Sequence, residues 1–169
     1  MRSVTRATRY VASVDRIDVC GLKEAGIRCV LVDRDNTLVP RDSKVAPSEV
    51  MAWLGDLKRE GIEVCMVSNN FHTTAVEQSA HDLGIACVHH AMKPSPVAVK
   101  VAQAACGVSR EQTVLVGDQV FTDIIAGNLA GVRTILVRPQ SSEDLWYTKI
   151  FRKVEWLFFR GVTFEGEGT

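Results

Sequence analysis

Two aspartates one residue apart, Asp33 and Asp35, end the apolar run Val30-Leu31-Val32 and are followed by Asn36 and Thr37. An apolar run that breaks into carboxylates reads as a buried strand ending in a polar loop. In an extended loop entry the two side chains point to one side, so the carboxylates crowd and raise each other's pKa unless a cation lies between them. Mg²⁺ is the economical cation, a hard ion that takes oxygen ligands and keeps several waters. Asp33, at the strand tip, is then placed to attack phosphorus while touching the metal, and Asp35 to pass a proton to the leaving oxygen. The plain alternative is an Asx-rich turn with solvated carboxylates.

Later apolar runs end in similar clusters. Ser68-Asn69-Asn70 offers a hydroxyl and amide donors suited to phosphoryl oxygens, and Lys93-Pro94 a fixed cation at the start of a helix. Gly117-Asp118-Gln119, with Thr122-Asp123 behind it, adds acidic oxygen. Singly, each reads as well as a turn, a solvated loop charge or a helix cap. Four such clusters in this order supply a nucleophile, an acid/base, a phosphate clamp and metal ligands, the parts that phosphoryl transfer needs.

The elements that position these groups follow from hydrophobic periodicity. Apolar runs over 27–32, 62–67, 85–88, 113–116 and 134–137 read as strands. Val50, Trp53, Leu54 and Leu57, opened by Pro47 and closed by Gly61, predict a helix. Further helices are expected over 73–83, from Ser95-Pro96 to Cys106, and over 123–130. Strands alternating with helices predict a Rossmann-like three-layer α/β sandwich with a five-stranded parallel sheet. Right-handed crossovers then place every strand's C-terminal end on one edge, where an open α/β sheet binds its ligand. Residues 1–26 are expected as a lead-in, with Tyr10, Val11, Val14 and Ile17 packing as helical or irregular structure, and 1–169 as one domain. The gaps from Asp35 to Ser68 and from Asn70 to Lys93 each fit one helix and one strand, too little for a cap domain. An uncapped site suits a large or surface-held substrate.

Composition sets outer limits. The 169 residues are 46% hydrophobic and 24% charged, which suits a globular domain with a full core. Lys plus Arg and Asp plus Glu each total 20, so no global field favours nucleic acid. The five cysteines are odd in number and never form a CxxC pair, which implies a reducing compartment without disulfides or a zinc site. The basic, Ser/Thr-rich residues 1–14 look superficially like a transit peptide but lack the apolar core of a secretion signal. No apolar stretch approaches the ~20 residues of a membrane span, so a cytoplasmic protein is expected.

Over 145–160, Trp146, Ile150, Val154, Leu157 and Phe158 form one broad apolar helical face, with Lys149, Arg152, Lys153 and Arg160 opposite. Such a helix packs on the sheet, meets the anionic inner face of a membrane peripherally, or joins two copies in a homodimer. His72 is a candidate for the substrate entrance, whereas His89-His90 lacks spaced partners for a metal.

The order Asp33-x-Asp35-x-Thr37, Ser68, Lys93 and Gly117-Asp118-x4-Asp123 resembles the haloacid dehalogenase superfamily of phosphatases. GDQVFTDIIAGNLAG, with TKI and FRKVE later, resembles the YqeG-type branch of subfamily IIIA, which includes phosphatidylglycerophosphate phosphatases. The resemblance implies that Asp33 becomes an aspartyl phosphate and ligates Mg²⁺, and that Asp35 is general acid, then base, giving its backbone carbonyl to the metal. Thr37 would orient the first loop, Ser68 and Asn69 hold phosphoryl oxygens, and Lys93 neutralise charge. Asp118 would bind the metal, with Asp123 direct or through water. Arg34 departs from the leucine of that branch and is similar to an arginine of histidinol-phosphate and heptose-bisphosphate phosphatases. Its side chain is expected to point away from the two aspartates.

The expected function is Mg²⁺-dependent phosphomonoester hydrolysis, with phosphatidylglycerophosphate the favoured substrate. The alternatives are a soluble sugar- or metabolite-phosphate phosphatase and a non-catalytic binding module on the same fold. A phosphate-receiver domain would place its aspartate after the third strand, where this chain has His89-His90.

Overall fold

Apolar runs become strands here because both faces of the sheet are covered. In β2 (Cys29–Val32) all residues are buried, Val30 and Val32 in one layer and Cys29 and Leu31 in the other. The same alternation runs through β3 (Glu63–Val67) and β5 (Thr113–Gly117), where Met66, Val114 and Val116 face the first layer and Cys65, Val67 and Leu115 the second. α1 (Val19–Glu24), α2 (Ser48–Arg59) and α3 (Thr73–Leu83) cover the first face; α4 (Val97–Ala105) and α5 (Ile125–Ala130) cover the second. This computed structural model describes residues 3–43, 45–141 and 162–167, and the helix expected over 145–160 lies outside them.

Two contacts show how closely the layers fit. Buried Trp53 on α2 donates its Nε1–H to Ile17 O at 3.2 Å, which ties the helix to the 3-10 turn Val14–Arg16. On the opposite face a Cβ at Gly127 would lie 2.5 Å from Thr134 Cγ2, so α5 approaches the sheet at a distance that only glycine allows. The fully buried Leu57 is typical of the core between α2 and the sheet, where truncation to alanine costs about 2–5 kcal/mol.

The sheet is parallel throughout and six-stranded, in the order β1-β6-β5-β2-β3-β4, where β4 is Ala86–Val88 and β6 is Arg133–Val137. This corrects the expected five strands. β1 (Arg9–Val11), expected as helical or irregular lead-in, pairs with β6. Three residues are too few to show an alternation, and what makes them a strand is the otherwise open edge of β6. Glu165 closes that edge further, bridging to Val11 and pairing its carboxylate with Arg9.

Strand order positions the site. From β2 the chain runs outward through β3 and β4, then returns to β5 on the other side of β2. Direction reverses between β2 and β5, and the crevice at their C-terminal ends is where an open parallel sheet holds its ligand. Val32 is in register with Val116, and Asp33 N donates to Val116 O at 2.9 Å, which carries the ladder one residue into the loop. Asp33 and Asp118 therefore leave neighbouring strands at the same level.

Candidate active site

Asp33, Asp118 and Asp123 are buried, and one carboxylate oxygen from each lies within 4.8 Å of the others. Asp33 is brought by β2 and Asp118 by β5, the latter also accepting a hydrogen bond from Thr37 Oγ1 at 3.2 Å. Asp123 arrives differently from expectation. The helix expected over 123–130 begins earlier, as a π turn Val120–Ile124 ahead of α5. That wider turn, with Ile124 N reaching Gln119 O at 3.3 Å, leaves Asp123 facing inward, and Gln119 N donates to its Oδ2 at 3.1 Å. Gly117 makes the approach possible: a Cβ there would lie 2.3 Å from Asp123 Cγ.

Lys93 bridges the cluster. Its Nζ donates to Asp33 Oδ1 and Asp123 Oδ1, both at 2.6 Å, and to Val67 O at 2.7 Å, so all three protons are used. Asn69 holds the lysine's backbone from both sides, accepting from Lys93 N at 2.7 Å and donating to Lys93 O at 2.9 Å. Its amide, expected on a phosphoryl oxygen, thus grips Lys93, although the residue also lines the cleft. Ser68 is buried, and its Oγ accepts from Asn70 N at 3.1 Å.

Electrostatics follow from this crowding. Burial pushes the Asp33 carboxyl up to about 8, Asp123, Asp118 and Asp35 add to the rise, and Lys93 opposes it. For Lys93 burial works against the ammonium, yet Asp123 and Asp33 outweigh it and hold the pKa above the ordinary lysine value. A single ammonium leaves the carboxylates short of positive charge. An all-oxygen donor set with surplus negative charge fits a hard divalent cation, which Asp33, Asp118 and Asp123 lie close enough together to hold.

The Asp35 carboxylate stands outside this cluster. Arg34 Nη1 donates to Asp35 Oδ1, Arg34 Nε to Ser79 Oγ at 2.9 Å, and Asn70 Nδ2 to Asp35 Oδ2 at 3.2 Å. The expectation that Arg34 points away from the aspartates is corrected. Strand alternation ends at Asp33, because the amides of Thr37, Leu38 and Val39 all bond to Arg34 O and Asn36 takes a φ of 61°. That tight turn folds Arg34 back onto its neighbour.

A cleft of about 420 Å³ opens over these groups, lined by Asp33, Asp35, Lys93 and Asn70 at its floor and by Arg41, Phe71 and His72 further out. His72 is thus where the sequence suggested. Arg41 and Phe71 were not foreseen, and the only signal for Arg41 was a cation six residues beyond Asp35 in the same loop. His89 and His90 meet edge to face with ring centroids 4.9 Å apart, and His90 lies against Phe71 at 5.4 Å. A larger cleft of about 860 Å³ lies at the opposite end of the sheet, lined by Arg6, Arg110 and Arg133 with Glu111 as its one acid. Chemistry rather than volume marks the smaller one.

A family model described as haloacid dehalogenase-like hydrolase matches residues 7–131. The probable phosphatase YqeG of Bacillus subtilis is 36% identical over 146 residues, which cover 86% of this chain and 84% of that protein. The chloroplastic phosphatidylglycerophosphate phosphatase 1 of Chlamydomonas reinhardtii is 32% identical over 143 residues, covering 79% of this chain and 53% of that protein, so the chain spans about half the length of that relative. The cobalt-bound deoxy-D-mannose-octulosonate 8-phosphate phosphatase of Haemophilus influenzae shares the fold with a TM-score of 0.55 at 17% identity, over 82% of this chain and 90% of that one.

Proposed function

Because this chain belongs to the haloacid dehalogenase-like hydrolases and is a phosphatase, we propose that it hydrolyses a phosphomonoester with Mg²⁺ through an aspartyl phosphate on Asp33, with phosphatidylglycerophosphate the favoured substrate. The observation that carries the reading is the buried bridge from Asp33 through Lys93 to Asp123, beside Asp118 at the ends of β2 and β5.

In the first step an Asp33 carboxylate oxygen bonds to phosphorus, and the ester oxygen leaves with a proton from Asp35. In the second, Asp35 takes a proton from the water that attacks the aspartyl phosphate, which releases phosphate and restores Asp33. Lys93 offsets the charge shared by Asp33 and the phosphoryl group. Thr37 keeps the first loop against Asp118, and Ser68 and Asn69 close the phosphoryl side, Asn69 chiefly by fixing Lys93. Asp33, Asp118 and the backbone carbonyl of Asp35, with Asp123 directly or through water, would hold Mg²⁺, which would supply positive charge to the phosphoryl oxygens.

A lipid ester is supported by the phosphatidylglycerophosphate phosphatases among the relatives and by the outward exposure of Phe71 and Met92, one beside and one just before the floor residues. The soluble sugar-phosphate alternative drew on Arg34, which is held by Asp35 and Ser79 and does not line the cleft. The location that goes with this reading is the cytoplasm, the enzyme meeting the inner face of the membrane peripherally. Among the described residues no helix is long and apolar enough to cross a membrane.

The test is phosphate release by purified protein with Mg²⁺, from phosphatidylglycerophosphate in mixed micelles and from a panel of soluble sugar phosphates. Release from the lipid is expected, and Asp33→Asn is expected to lower it by at least about 10⁴-fold while circular dichroism stays unchanged. Release from soluble esters alone would overturn the lipid assignment, and substantial turnover by Asp33→Asn the nucleophile assignment.

A further inference from the structure

We propose that Arg41 is a specificity-determining residue of this cleft and that it pairs with a second anionic group, carried by the alcohol from which phosphate is cleaved. The inference rests on the phosphatase reading above and concerns the leaving-group side of the same site.

Arg41 lines the cleft beside Asp35, and its side chain is only 21% exposed. A guanidinium so far from water ordinarily spends its N–H groups on acceptors in a fork. Here Nε is buried without a hydrogen-bond partner among the described residues. Its ion-pair neighbour is Asp35 Oδ2, 3.8 Å from Nη2 and beyond hydrogen-bond distance. That oxygen already accepts from Asn70, and the other Asp35 oxygen from Arg34. Asp35 therefore has its partners and does not account for Arg41.

The position is nevertheless built. Arg41 N donates to Asn36 Oδ1 at 3.2 Å, and the same oxygen accepts from Ser141 Oγ at 2.7 Å. Asn36 is buried and holds the left-handed turn that also sets the Arg34–Asp35 pair. The chain thus fixes, in the wall of an open cleft, a cation whose Nε has no partner among the described residues and whose ion pair with Asp35 lies beyond hydrogen-bond distance, an arrangement that favours an acceptor on the cleft side of the guanidinium.

Charge says which part of the ligand that is. The phosphoryl group has its own cation in Lys93, whose bonds go to Asp33, Asp123 and Val67. Arg41 stands instead beside Asp35, the group assigned to the leaving oxygen. A second cation on that side matches a second anion a few bonds beyond the ester oxygen. The flat, forked guanidinium suits a phosphodiester or a carboxylate, either of which it can bind through two parallel hydrogen bonds. Arg34, the other arginine of the loop, is spent on Asp35 and Ser79.

The experiment compares two matched pairs of esters with the full chain and Mg²⁺. Phosphatidylglycerophosphate and phosphatidic acid in the same micelles differ by the glycerol phosphodiester, and 3-phosphoglycerate and glycerol 3-phosphate by the carboxylate. The wild type is expected to prefer the doubly anionic member of at least one pair, and the pair that shows it identifies the anion as lipid phosphodiester or soluble carboxylate. Arg41→Gln is expected to reduce that ratio of kcat/KM values about 30-fold, mainly through KM, and Arg41→Lys to recover part of it. No preference in the wild type, or an equal fall for both members in Arg41→Gln, overturns the proposal. The wild-type ratio and Arg41→Lys decide the matter should Arg41→Gln not fold. Failure of the phosphatase reading looks different: the wild type releases phosphate from none of the four esters.

Discussion

The floor of the cleft and its mouth are built on opposite rules. At the floor Lys93 spends every proton, Asp123 accepts from Lys93 and from Gln119, and Asn69 clamps the lysine's backbone from both sides. At the mouth Arg41 Nε has no partner among the described residues, Phe71 is 74% exposed and His72 meets solvent. Asp33 and Asp118 follow the central strands β2 and β5, and Lys93, itself in the loop after β4, is tied to β3 through Val67 O; Arg41, Phe71 and His72 lie in loops and make no such bond to the central strands among the described residues. What is common to all phosphomonoesters is assigned to groups the sheet holds still, and what distinguishes one ester from another to side chains that can change without disturbing the sheet.

Lys93→Met is the severest test of the floor, because it keeps length and removes charge. Turnover is expected to fall at least about 10³-fold, and urea unfolding in EDTA to show a loss of about 3–5 kcal/mol as Asp33 and Asp123 face each other uncompensated. Near-normal turnover would reduce the lysine to a packing element. Gly117→Ala comes next. Its methyl group must displace Asp123, so a rate about 10²-fold lower and a weaker apparent Mg²⁺ affinity are expected, and an unchanged rate would show that Asp123 can shift freely.

A milder probe leaves the chain intact and removes the metal. Asp33 has a folded-state pKa of about 8 against an ordinary 3.8, so the folded protein binds that proton more tightly than the unfolded chain does. Stability contributed by this group is therefore present below the ordinary value and is lost as pH rises toward about 8. In EDTA the melting temperature should fall between about pH 5 and pH 8, and Mg²⁺ should restore most at the upper end, where the carboxylate is free to bind it. A profile that is flat in EDTA would break this account of the floor. Phe71→Ser should have the smallest effect: stability within about 0.5 kcal/mol and a KM raised a few-fold more for micellar lipid than for a soluble ester. A uniform change would detach Phe71 from lipid contact.

Much of the floor was legible in the sequence because polar residues closing buried strands have one place to go. Right-handed crossovers convert the order Asp33, Ser68, Lys93, Asp118 into positions along one sheet edge. What escaped is what long-range pairing or a local turn decides. β1 exists because β6 offers an edge, not because Arg9, Tyr10 and Val11 alternate. Arg34 reverses direction at the turn around Asn36, where strand alternation no longer holds. Asp123 is named by the resemblance, but the π turn that brings it inward is not, because bonding five residues back has no residue signature. A lone loop arginine looks like any solvated charge, so Arg41 could be recognised only once Asn36, itself held by Ser141, had fixed its backbone in the cleft wall.

Although Asp33 opens a loop, its amide still belongs to the sheet through Val116 O. Amides in the centre of a parallel sheet exchange with solvent only when the strands separate, so the proposed nucleophile should be among the slowest residues in hydrogen exchange, close to the limit set by global unfolding. Loops at the mouth can open many times without unseating it. On heating, activity should then be lost together with the sheet and not before it.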